Sequence, residues 1–383
     1  MSATPILDLE QPPPKPPAGW RGRAGRLAIG AALGVLIELG EEMRGSVRWP
    51  VANGWLILPA FWLAVAIHEL GHLAAAELVG LNAGGLSIGP LMFLKSGGNL
   101  VFRCDWRRWA GGFFKPLTVS ADLNPAPFAW SVAGGPLASL ALTGMCGLLQ
   151  ARYGDGNWQW IGTLSWAALG TVLLSVIPFS VGVQESDGAR LWQLIRRPKE
   201  ARPLMALLGI QTEEAQGLLP REWDPQRFEE MLRMDRSAGE YFYCELLGFY
   251  RRFDEGSEAE ALQHLENALA SSAHAGTGMR YGLFLEAVCA SALIQKRAER
   301  ARAWRARAAG LRKSKFMFAA DAAIARCEGR PEEALRQWTA ARARVERLRL
   351  DSGLIRFAKA KWAECEAECR SELQNVAPTS TST

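Results

Sequence analysis

WLILPAFWLAVAIHELGHLAAAELVGL, residues 55–81, decides how the rest of the chain is read. As a helix it is long enough to cross a hydrocarbon core about 30 Å thick. Within it stand His68, Glu69 and His72. Residues four apart share one helix face, so both imidazoles can bind one zinc ion. Glu69 lies about 100° round the helix, where its carboxylate reaches a zinc-bound water and serves as general base. A carboxylate in an apolar span costs a few kcal/mol and marks function. Two of the four histidines of the whole chain fall in this pattern. The competing reading packs both imidazoles against polar partners on another helix.

Zinc in a catalytic site needs a third protein ligand and one open position. The remaining histidines, His264 and His274, lie in helical patterns of the other half, so a carboxylate must serve. Asp187, in Ser186-Asp187-Gly188, follows a later apolar stretch and Pro178; Glu185 is its nearest rival. At about 1.5 Å per residue, His68 lies about 20 Å along the helix from Trp55, towards the side where Asp187 emerges.

The 383 residues suit two domains, with apolar runs up to residue 183 and charged, Ala-, Arg- and Glu-rich patterns beyond residue 190. Besides Trp55–Leu81, apolar stretches occupy Leu27–Leu39, Phe128–Leu149 and Trp160–Val183. The last two hold no charged residue. Lys and Arg cluster before the first stretch (Lys15, Arg21, Arg23, Arg26), between the second and third (Lys95, Arg103, Arg107, Arg108, Lys115) and after the fourth (Arg190, Arg196, Arg197, Lys199, Arg202). That asymmetry predicts four spans with both termini cytoplasmic, in a bacterial inner membrane. Leu86–Leu94, Gly97-Gly98 and Leu100–Cys104 predict strand, turn, strand: a hairpin against the membrane face, able to hold an extended substrate by strand addition.

Residues 1–23, with QPPPKPP at 11–17, predict a disordered tail, and so do residues 373–383. The apolar run starts too late for a signal peptide. Between residues 205 and 372 a loose repeat places Ala261, Leu262, Leu265 and Ala268 after Gly256, and Ala334, Leu335, Trp338 and Ala341 after Gly329; Ala301, Trp304 and Ala308 lie between. Spacings of about 33 to 40 residues resemble tetratricopeptide repeats, with a plain helical bundle as the alternative. A stack of helix pairs leaves a concave face for a protein partner. The net charge of +5 and Arg interleaved with Glu give no case for nucleic acid. Seven scattered cysteines form neither a zinc knuckle nor a disulfide framework. The fold predicted is an all-α membrane protein: a multi-span helical core (24–200) with a small membrane-associated β-hairpin, plus a soluble α-helical domain (205–372).

Taken together, His68-Glu69-x-x-His72, Gly134-Gly135-Pro136 and Asp187-Gly188 resemble the site-2 protease family of intramembrane zinc metalloproteases, over roughly residues 50–190. Ser139 and Ser175 stand where that family often carries Asn. The resemblance implies one zinc per chain on His68, His72 and Asp187, with Glu69 activating water. It implies hydrolysis of a peptide bond in or near a transmembrane segment of another protein, with Gly135, Pro136, Ser139 and Ser175 on the substrate side. The alternative is a catalytically inactive membrane scaffold of the same fold that recruits partners through its helical repeats.

Overall fold

The computed structural model describes residues 56–96, 99–106, 111–117, 123–153, 159–181, 184–272, 275–311, 317–347 and 351–376. The stretch Leu27–Leu39, the N-terminal tail and His274 lie outside them. The chain is mostly helical and divides into two compact units, within 17–212 and within 213–383. The boundary falls inside a helix, Arg202–Gln216, and not in a linker near residues 200–205.

The first unit is built on three apolar helices: α1 (Ile57–Leu78), α2 (Ala126–Tyr153) and α3 (Gln159–Val176). Among the described residues, α1 and α2 are long and apolar enough to cross a bilayer, whereas the apolar stretch of α3 is shorter. That stretch was expected to reach Val183. It stops early because Pro178 follows, and the residue before a proline is pushed out of the helical region. Ala60 and Ala64 of α1, Leu142 and Cys146 of α2, and Ile161, Leu164 and Ala168 of α3 form their shared core. At the crossing of α1 and α2, Gly71 and Gly134 face each other so closely that a Cβ on either would strike the other's backbone. Small residues let apolar helices approach where packing, not hydrophobic exclusion, drives association.

Between α1 and α2 lies a four-stranded antiparallel sheet of order β3-β2-β1-β4, from β1 (Asn82–Ile88), β2 (Leu91–Ser96), β3 (Asn99–Cys104) and β4 (Gly112–Leu117). The expected single hairpin is thus corrected to a sheet. Leu86–Leu94 is not one strand, because Gly89-Pro90 breaks it; Gly89 takes a left-handed φ of 55°, and proline cannot donate to a ladder. A fourth strand, GFFKPL, adds to the expected hairpin; its Pro116 is tolerated because the strand lies on a sheet edge. After α3, a short β5–β6 ribbon (Ser180–Val181, Gln184–Glu185) leads into α4 (Asp187–Arg196), and α5 (Arg202–Gln216) crosses to the second unit.

The second unit is helical: α6 (Pro225–Met231), α7 (Tyr241–Asp254), α8 (Glu258–Ser271), α9 (Thr277–Cys289, extended by a π-turn at Ala290–Ile294), α10 (Ala298–Leu311), α11 (Phe318–Cys327), α12 (Pro331–Arg347) and α13 (Gly353–Val376). α13 runs on into the stretch expected to be tail. The internal repeat is real as geometry. α7–α8, α9–α10 and α11–α12 are consecutive packed pairs, and each turns on a left-handed residue: Gly256, Lys296 and Gly329. Ala261, Leu265 and Ala268, then Ala301, Trp304 and Ala308, then Ala334, Trp338 and Ala341 are buried at matching places after those turns, except that Trp304 comes one residue earlier.

Candidate metal centre

The two histidines of α1 are buried side by side, with their rings edge to face and centroids 4.7 Å apart. Each is held from behind by α2. His72 Nδ1 lies 2.9 Å from the Ser131 carbonyl oxygen and 3.3 Å from the Gly135 amide nitrogen, so the backbone of α2 ties this nitrogen and leaves Nε2 facing the other way. The Ser139 hydroxyl hydrogen-bonds with His68 Nδ1 at 3.0 Å. A metal-ligating histidine characteristically has its far nitrogen tied in this way. Gly135 gives the rings their room, since a Cβ there would strike both Nε2 atoms.

Asp187 reaches the pair from α4. Ser186 caps that helix: its Oγ accepts from the Ala189 amide at 3.2 Å and the Phe179 amide at 3.1 Å, and donates to the Ile177 carbonyl at 2.7 Å. Gly188 is needed because any Cβ would run into the Val176 backbone at the end of α3. The Ser-Asp-Gly sequence therefore clamps the start of α4 to the end of α3 and leaves Asp187 facing α1.

Asp187 Oδ2 lies 3.1 Å from His68 Nε2, Asp187 Oδ1 lies 3.5 Å from His72 Nε2, and the two Nε2 atoms are 3.1 Å apart. These three groups could hold a metal ion. With both Nδ1 atoms tied to α2, the two Nε2 atoms and the Asp187 carboxylate face one another, an arrangement that a cation between them makes favourable. A tetrahedral ion with bonds of about 2.0–2.1 Å spaces its ligand atoms about 3.3 Å apart, close to the distances here. Glu185, the rival ligand, is ion-paired with Arg190 at 3.2 Å.

Glu69 is 6% exposed, and its Oε2 is buried without a hydrogen-bond partner. Strand β4 lies over it. A Cβ at Gly112 would collide with the Glu69 carboxylate, and the Phe114 ring stacks on His72 with centroids 6.4 Å apart. The strand beside the carboxylate is thus the edge strand β4, and not the hairpin of residues 86–104. Gly112, Phe114 and the Ser131 carbonyl were not singled out in the sequence. Only the Gly-Gly-Phe-Phe run at 111–114 hinted at a close backbone approach.

The residues expected on the substrate side divide. Gly135 and Ser139 touch the histidines, Pro136 is buried within α2 one residue on, and Ser175 donates to Val172 O in its own helix at 3.1 Å. In the second unit, His264 Nδ1 bonds Glu245 at 2.7 Å, tying α7 to α8. No protein-family model, curated protein or solved structure matches the chain.

Proposed function

We propose that the chain is an intramembrane zinc metalloprotease of the site-2 type, cutting a peptide bond in or near a transmembrane segment of another membrane protein. One observation carries this reading: three convergent ligand atoms and the unpartnered Glu69 carboxylate oxygen share one buried place on a helix apolar enough to cross a bilayer. A purely structural metal site has no use for that carboxylate, so the inactive scaffold is disfavoured. The apolar outer faces of α1, α2 and α3 suit lipid.

His68, His72 and Asp187 hold zinc, and Ser131 and Ser139 keep the imidazoles aimed. When bound, zinc supplies Lewis-acid polarisation of the scissile carbonyl and lowers the pKa of water. Glu69 Oε2 takes the proton from the attacking water and delivers it to the leaving amine. Strand β4 shields the carboxylate from bulk solvent, and its outer edge, unpaired among the described residues, accepts an extended substrate segment, since a helix hides its amide bonds. The helix pairs of the second unit present a surface for a protein partner.

Metal analysis of purified variants tests the ligand set. His68→Ala, His72→Ala and Asp187→Ala should each lose zinc and cleavage of a model transmembrane substrate. Full zinc in Asp187→Ala would transfer the third ligand to Glu185 or another group.

A further inference from the structure

Helix α4 carries a face that the proposed chemistry does not use. Leu194 is buried, but Trp192 and Ile195, three residues apart and so on one side, are 60% and 69% exposed. The Arg196 guanidinium lies over the Trp192 ring, 4.5 Å from its centroid. From Arg190 to Arg202 five basic residues stand against Glu200 alone, and Glu200 is paired with Arg197 at 3.0 Å.

An exposed tryptophan and isoleucine beneath arginines would be a liability in water, yet the pattern is that of a helix lying in a bilayer interface. Its surroundings agree. Among the described residues, the large exposed hydrophobics run from Leu56 to Ile195, and beyond Ile195 only Met279 joins them. Among the described residues the second unit thus exposes little large apolar surface, whereas α4 shares such exposure with α1, α2 and α3.

We infer that α4 lies in the membrane interface, with Trp192 and Ile195 at the acyl boundary and Arg196, Arg197 and Lys199 on anionic lipid headgroups. The inference rests on the membrane reading above. Basic side chains suit this place because their apolar stems lie along the hydrocarbon while their heads reach phosphate. Asp187 is the first residue of α4, so the depth at which lipid holds this helix sets the level of the third ligand against His68 and His72.

Photo-crosslinking of the full-length chain in nanodiscs tests the inference. Benzoylphenylalanine replaces Ile195 in one sample and Leu148, 76% exposed on α2, in another, and adducts are identified by mass spectrometry. In phosphatidylcholine discs containing phosphatidylglycerol, both positions should give lipid adducts. Phosphatidylglycerol should be enriched at 195 over its share of the disc, and Arg196→Gln with Arg197→Gln and Lys199→Gln should abolish that enrichment while position 148 is unchanged. Lipid adducts at 148 with only protein adducts at 195 would overturn the inference and leave the spans standing. Lipid adducts at 195 without the enrichment would overturn its anionic part. An absence of lipid adducts at both positions would overturn the membrane reading itself.

Discussion

Ser139 is wholly buried, and its hydroxyl meets His68 Nδ1 at 3.0 Å, so its contribution passes through the imidazole. Outer partners of ligating histidines typically carry about 10–100-fold in metal affinity. Ser139→Ala should weaken zinc binding by about that factor in chelator competition, and Ser139→Thr, which keeps the hydroxyl, should restore it. The closeness of His68 and His72 was legible because a helix places i and i+4 on one face, whereas Asp187 was named only because no other histidine was at hand and it follows an apolar stretch. The backing groups were not. The Ser131 carbonyl belongs to the backbone and leaves no trace in residue identity. Gly188 showed only as half of an Asp-Gly pair, and its reason, close contact with the Val176 backbone, requires the end of α3 to be in place.

Among the elements, β4 decides access to Glu69. Gly112 has no positive φ to justify it, so its reason is steric: the carboxylate lies where a side chain would begin. Gly112→Ala should displace Glu69 or lift the strand and cut the cleavage rate at least about tenfold, equivalent to about 1.4 kcal/mol in the barrier. Zinc content should stay at the wild-type level, because the three atoms nearest that Cβ all belong to Glu69. A rate within twofold of wild type would show that β4 does not seat Glu69. Strand β4 escaped sequence reading because Pro116 and the preceding Gly-Gly look like loop; only the edge position makes them compatible with pairing. The helices α1 and α2 were legible almost to their ends, since long apolar runs need no tertiary information. α3 was overestimated because apolar character continues past Pro178, although the helix does not.

At the scale of the whole molecule, an apolar unit with a candidate metal site and a unit of repeated helix pairs occupy separate parts of one chain. The three left-handed turns at Gly256, Lys296 and Gly329 explain why the repeat looked loose. Lys296 stands where the other two turns have glycine, and Trp304 sits one place earlier than Leu265 and Trp338 relative to its turn. Burial pushes the Glu245 carboxyl upward, but hydrogen bonds from His264, Tyr241 and Asn267 outweigh it and hold it below its ordinary value of 4.5. A lowered folded-state value means Glu245 stabilises this unit above pH 4.5, and the contribution is lost as pH falls through the folded value. Thermal melts of the full chain should show the unit weakening below that pH, and Glu245→Gln should lower the midpoint at neutral pH and flatten the acid loss. An unchanged acid profile in Glu245→Gln would assign the loss to other carboxylates.

The central claim, a metal site with Glu69 as its base, is tested most directly by one paired measurement. Wild type and Glu69→Gln are purified in parallel, assayed for zinc, and mixed with a model transmembrane substrate in the same bilayer. The account predicts about one zinc per chain in both proteins and cleavage in the wild type alone. Cleavage by Glu69→Gln at the wild-type rate, or a folded wild-type chain without bound metal, would contradict it.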